Sequence, residues 1–243
     1  MWEEPFKDTS GNTPFGLYIA GCDPIDQDKA ESSSSLGSIF VYKTFINAGE
    51  THNIIVAEYT GRREKADDFY EICRRLLILY NAKCLYENQL KGFKAYMEMK
   101  QSLHLLYEQP QILKDIVKDS KVQRGYGIHM NRGNGGASGI KDQCELYLKQ
   151  WLLEERIVDS EKGIKKLNLH GIMSIPLLKE LIAYDPEGNY DRVIAFMLCI
   201  LQSKENHKIH VQEYTNVAPS TYWHDMSKFY QKKHWVSKND FKS

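Results

Sequence analysis

The chain has 243 residues, balances 32 Lys and Arg against 32 Asp and Glu, and is 42% hydrophobic. That length suits one large domain, alone or with appendages. A formal net charge of zero gives no global pull toward nucleic acid, so any such site must be local. No apolar run of about 18 residues occurs, so no membrane-spanning helix is expected. Met1-Trp2-Glu3-Glu4-Pro5 lacks the basic-then-apolar order of a signal peptide. Cys22, Cys73, Cys84, Cys144 and Cys199 are odd in number and form no C-x-x-C pair. Neither a disulfide framework nor a zinc ribbon is therefore indicated, and a reducing cytoplasm is expected.

Residues 1–16 are polar and broken by Pro5, Gly11 and Pro14, which reads as an arm or linker. Leu17-Tyr18-Ile19-Ala20-Gly21-Cys22-Asp23 is a short apolar run with turn residues at its end, the signature of a buried strand. Asp23 closes it just before Pro24, where it also serves to open an Asp-Pro turn. A polar loop follows, with Asp26, Asp28 and a run of four serines. Strands are expected over 38–46 and 52–60, rich in β-branched and aromatic residues, with a hairpin turn at Asn47-Ala48-Gly49-Glu50. Three strands with short links make an antiparallel meander.

The apolar period then changes. Ala66, Phe69, Tyr70, Cys73, Leu76, Leu77 and Tyr80 mark an amphipathic helix over 64–81. Lys83-Cys84-Leu85-Tyr86-Glu87 is a fourth strand ending in a carboxylate, 91–102 a helix, and His104-Leu105-Leu106-Tyr107 a fifth strand stopped by Pro110. A strand is also expected over 123–130, followed by a glycine-dense loop over 131–139. The loop lacks the spacing of a nucleotide fingerprint or P-loop, and reads equally as a phosphate-approaching loop or a mobile connector. Further helices are expected over 140–156 with Ser138 as N-cap, over 174–184, and over 190–203. The tail 204–243 interleaves lysines with Trp223, Phe229, Tyr230, Trp235 and Phe241. Such a tail suits nucleic acid or a partner protein, and equally packing on its own domain. His207 and His210 have no third ligand beside them and read as surface residues.

Three carboxylates share a setting. Asp23 ends the first strand, Glu87 ends the fourth, and Asp191 opens a late helix with the small Ala195 one turn on. Asp191 in a first turn also complements the helix dipole. A meander whose first strand pairs with a parallel fourth would make Asp23 and Glu87 neighbours at one sheet edge. Clustered carboxylates with ordinary pKa values of about 4 repel at neutral pH, and a divalent cation relieves that. Oxygen-only ligands favour Mg²⁺ or Mn²⁺ over zinc.

The chain resembles the nuclease domain of the large terminase subunit of tailed bacteriophages, a branch of the RNase H-like nucleases. Tyr18-Ile19-Ala20-Gly21-Cys22-Asp23-Pro24, Cys84-Leu85-Tyr86-Glu87-Asn88-Gln89-Leu90-Lys91-Gly92 and Asn189-Tyr190-Asp191-Arg192-Val193-Ile194-Ala195 carry the resemblance, with Gly139-Ile140-Lys141 as a weaker match. It implies an α/β fold: a mixed five-stranded RNase H-like sheet, meander plus parallel strands, flanked by helices, over 17–203. It implies an endonuclease that cuts concatemeric viral double-stranded DNA during genome packaging in the host cell cytoplasm. Asp23, Glu87 and Asp191 would hold two Mg²⁺ or Mn²⁺ ions, and Arg124, Arg132 and Lys141 would contact phosphates. The portal protein and the small terminase subunit are the partners it implies. No Walker A motif is present, so the packaging ATPase is not in this chain; an excised domain or a sibling family is expected. The family's third acid is often flanked by another acid, whereas Tyr190 and Arg192 flank Asp191. A junction-resolvase-type nuclease and a non-catalytic DNA- or portal-docking module are the competing expectations.

Overall fold

The computed structural model describes residues 1–25, 36–44, 52–113, 125–133, 139–159 and 163–215, without the side chains of 157–159 and 209–215. Asp26, Asp28, the turn at 47–50, Arg124, Ser138 with most of the glycine loop, and the tail beyond 215 lie outside the described residues. By contacts the chain divides into Met1–Glu205 and Asn206–Ser243.

The sheet of the first unit is built on β1 (Tyr18–Asp23), β2 (Gly37–Lys43), β3 (Ile54–Gly61) and β4 (Lys83–Tyr86). Its order is β3-β2-β1-β4; β1, β2 and β3 form the expected antiparallel meander, and β4 pairs parallel to β1. β1 is apolar up to its last residue, Asp23, because both faces are covered. Tyr18, Ala20 and Cys22 enter one hydrophobic layer and Ile19 the other.

The first layer is closed by α1 (Ala66–Tyr80) and α2 (Gly92–Met99). In α1 the buried residues Ala66, Phe69, Tyr70, Cys73, Leu77 and Tyr80 recur at helical spacing. Asp67 and Asp68 in its first turn complement the dipole, and Asn81 ends it in the left-handed conformation. The second layer draws on α3 (Ile140–Leu153), α4 (Ile175–Ala183) and α5 (Asp191–Thr215). Ser174 caps α4, accepting the Leu177 amide at 3.2 Å. The first residues are tied to the same unit: the Trp2 amide donates to the Val56 carbonyl at 2.8 Å, and Glu3 pairs with Lys43 at 2.7 Å.

Four elements depart from expectation. Among the described residues the sheet has four strands, not the expected five. The segment expected as the fifth is a 3₁₀ turn, Leu103–Leu105, followed by a single parallel bridge from Cys84 to Leu106. Leu105 and Leu106 are consecutive yet enter the same layer, which the two-residue period of a strand does not allow. Likewise no strand forms over the described part of 123–130. Tyr126 and Ile128 make one bridge each, and Gly127 between them has φ +72°. Helix α3 ends at Leu153, and a hairpin follows: β5 (Glu155–Asp159) and β6 (Ile164–Leu167). β6 is mostly exposed and carries no apolar alternation to announce it. α5 runs to Thr215 rather than to Ser203. No helix among the described residues is long and apolar enough to cross a membrane.

Candidate carboxylate site

Because β1, β3 and β4 run in the same direction, their C-terminal ends collect at one sheet edge. Asp23 is the last residue of β1, and Glu87 directly follows β4. Cys22 stands opposite Tyr86 in the parallel register, and the Glu87 amide donates to the Cys22 carbonyl at 3.0 Å. The two acidic residues are therefore side by side, and their carboxyl groups share a hydrogen bond.

Asp191 arrives from the other layer. Helix α5 lies directly on β1, because Gly21 has no side chain to hold it off. A Cβ there would stand 2.1 Å from the Ala195 carbonyl oxygen and 2.6 Å from the Cys199 nitrogen. Asp191 is one helical turn before Ala195, so this contact sets it above the end of β1. Its Oδ2 accepts the Leu36 amide at 2.9 Å. All three carboxylates line one cleft of about 430 Å³, together with Arg62, Lys141 and Asn189.

Burial pushes the Asp23 carboxyl well above the usual carboxylate range, and the charges of Glu87 and Asp191 push it further. Burial also raises Glu87, opposed by the hydrogen bond from Asp23 and by the charges of His129 and Lys141. Burial raises Asp191 too, opposed by the Leu36 amide. Two adjoining carboxyls raised in this way bind protons more readily than free ones do.

The expected phosphate-contacting residues fall in different places. Lys141, near the start of α3, lines the cleft and donates to the Pro186 carbonyl at 3.0 Å. Arg132 is engaged elsewhere: it pairs with Asp142 at 2.9 Å and Glu145 at 2.6 Å, and does not line the cleft. Sequence reasoning missed Arg62. It directly follows β3, at the same edge as Asp23. Its signal was positional: a basic residue at the end of a strand that a meander makes parallel to β1.

The donor set fits a hard divalent cation by its chemistry, since the cleft offers carboxylate oxygens and no thiolate. Asp23 and Glu87, already in contact, are the pair that would hold it, with Asp191 facing the same space. Among the described residues, no group of three or more His, Cys, Asp or Glu side chains is spaced to hold a metal ion. Asp191 remains engaged with the Leu36 amide.

Comparison of the chain with family models, with curated proteins and with solved structures finds no match.

Proposed function

We propose that this chain is a metal-dependent endonuclease with an RNase H-like fold, of the kind found in the large terminase subunit, cutting concatemeric double-stranded viral DNA during packaging. One observation carries the reading: Asp23 and Glu87 are brought into contact by the β1–β4 register, with Asp191 above them at the C-terminal edge of a β3-β2-β1-β4 sheet. Half-buried carboxylates placed together against their own repulsion mark a site whose task needs the charge.

Asp23 and Glu87 would hold a Mg²⁺ or Mn²⁺ ion, with Asp191 available to a second. A bound ion of this kind supplies Lewis acidity, polarising a phosphoryl oxygen and lowering the pKa of water. To accept it both carboxyls must be ionised, against the burial that raises them. Lys141 and Arg62, on the rim of the same cleft, orient the phosphodiester by contacts that carry no sequence information. The portal protein and the small terminase subunit are the partners this reading assigns.

A non-catalytic docking module is the second reading. It is supported by the hydrogen bond between the Asp23 and Glu87 carboxyls, through which they coexist without a cation. Supercoiled plasmid, incubated with Mn²⁺ or with EDTA, separates the two. The nuclease reading expects cutting that requires metal and falls about a thousandfold in Asp23→Asn, a loss of about 4 kcal/mol of transition-state stabilisation. An inert wild type would leave the docking module.

The role given to Lys141 has its own signature. Lys141→Ala should weaken DNA binding alike for unrelated sequences, and flatten the slope of log affinity against log salt by about one. An unchanged slope in a binding titration would remove Lys141 from the interface.

A further inference from the structure

The residue after Asp191 turns away from the cleft. Arg192 Nε donates to Glu58 Oε1 at 2.9 Å, and Nη1 donates to Glu180 Oε1 at 2.6 Å. The Arg192 backbone amide donates to the second oxygen of Glu180 at 3.0 Å. Glu58 belongs to β3 and Glu180 to α4. One guanidinium therefore ties the first turn of α5 to an edge strand and to a neighbouring helix. The three side chains are only 17%, 12% and 19% exposed, so water competes little for these bonds.

The network continues toward Asp23. Glu58 also accepts Ser174 Oγ at 2.5 Å and Thr60 Oγ1 at 3.0 Å. Thr60 Oγ1 in turn lies 2.9 Å from Ser38 Oγ. Ser38 is the residue paired with Asp23 across β1 and β2. An unbroken chain of hydrogen bonds thus runs from the neighbour of Asp191 to the strand partner of Asp23. None of Arg192, Glu58 and Glu180 lines the cleft, so their effect on it passes through backbone placement.

We infer that Arg192 is the positioning residue of this site: clamped between Glu58 and Glu180, it fixes the first turn of α5 so that Asp191 faces Asp23 and Glu87. The use of that arrangement for metal rests on the proposed function; the positioning itself does not. A fork-shaped guanidinium serves here where an ammonium does not, because two carboxylates on different elements must be held at once in fixed directions. Partners that orient ligands in this way are typically worth about 10–100-fold in metal affinity.

Arg192→Lys keeps the charge and removes the fork. Two readouts are needed: hydrogen exchange at the Leu36 amide, which Asp191 accepts, and Mn²⁺ binding followed by electron paramagnetic resonance. The expected result is faster exchange at Leu36, with β2 amides such as Phe40 still protected, and a Mn²⁺ dissociation constant raised about 10–100-fold. Wild-type values for both in the folded variant would overturn the inference. A weakened Mn²⁺ affinity with Leu36 still protected would also overturn it, because Arg192 would then act by charge and not by placement. Loss of Leu36 protection in a protein whose wild type binds no Mn²⁺ would sustain the positioning role and overturn the metal reading. Glu180→Gln, which keeps the shape and removes one acceptor charge, repeats the test if Arg192→Lys melts below the assay temperature.

Discussion

Asp23→Asn is expected to raise the melting temperature of the metal-free protein at pH 8. The folded state raises the Asp23 carboxyl well above its ordinary range, through burial and the charges of Glu87 and Asp191. A carboxyl raised on folding is more easily protonated in the folded protein than in the unfolded chain. Its contribution to stability is complete below about pH 4 and is lost as pH rises through the raised folded value. As pH rises toward 8 the wild type therefore increasingly bears the penalty of ionising a crowded carboxyl. Asparagine removes the charge while keeping the shape and offers Glu87 a donor. The substitution is therefore expected to stabilise the protein increasingly as pH rises. Glu71, held low by Arg74 and Arg75, and Asp142, held low by the Gly133 and Gly139 amides, lose stability in the opposite direction as pH falls. The measurement is therefore the difference between variant and wild type, from thermal melts across pH 4–8. It should grow with pH. A variant that melts with or below the wild type at pH 8 would show that Asp23 is comfortable as an anion and that the crowding is absent.

Gly21→Ala should be among the most damaging single-methyl changes in the protein. Its new Cβ would stand 2.1 Å from the Ala195 oxygen and 2.6 Å from the Cys199 nitrogen, both backbone atoms of α5. Neither can rotate aside, so the whole helix must back away from β1. Overpacking of a dense core costs about 1–3 kcal/mol and sometimes more. With backbone on the other side the upper end is expected: about 3 kcal/mol or more, a fall of roughly 6–12 °C in melting temperature. Because the same contact sets Asp191 over Asp23, the proposed metal-dependent cutting should fall with it. Gly61→Ala is the control, since its nearest obstacle is the Tyr59 hydroxyl at 3.3 Å, the end of a side chain. Should Gly21→Ala melt within a degree or two of wild type, α5 does not rest on β1 as described.

What the sequence made legible follows from burial. β1, β2 and β4 are short apolar runs bounded by turn residues, because both of their faces are covered. Once the first three strands are a meander and the fourth is parallel, the adjacency of Asp23 and Glu87 follows from register alone. The small Ala195 hinted that α5 lies close to the sheet. The other half of that contact, Gly21, was in plain view inside the strand, where a glycine marks close backbone approach. The remainder was hidden for stated reasons. Leu105 and Leu106 are as apolar as a strand, but both enter one layer. The β5–β6 hairpin carries no apolar alternation on its exposed second strand. Arg62 and Arg192 are single charges whose surroundings, the cleft for one and two distant carboxylates for the other, come from segments far apart in sequence. Arg132 shows the converse: a basic residue beside a glycine-rich loop, attractive as a phosphate contact, whose guanidinium is taken up by Asp142 and Glu145.

Mn²⁺ binding to the wild type, Asp23→Asn and Glu87→Gln, measured by titration calorimetry in two buffers of different ionisation enthalpy, decides whether these carboxylates hold a metal. The wild type is expected to bind Mn²⁺ and to release protons as it does so, because burial raises both the Asp23 and Glu87 carboxyls and a cation takes them ionised. Each substitution is expected to abolish or severely weaken the binding. A wild type that shows no binding at millimolar Mn²⁺, or variants that bind as the wild type does, would contradict this and return Asp23, Glu87 and Asp191 to the ends of their strands and helix as structural residues.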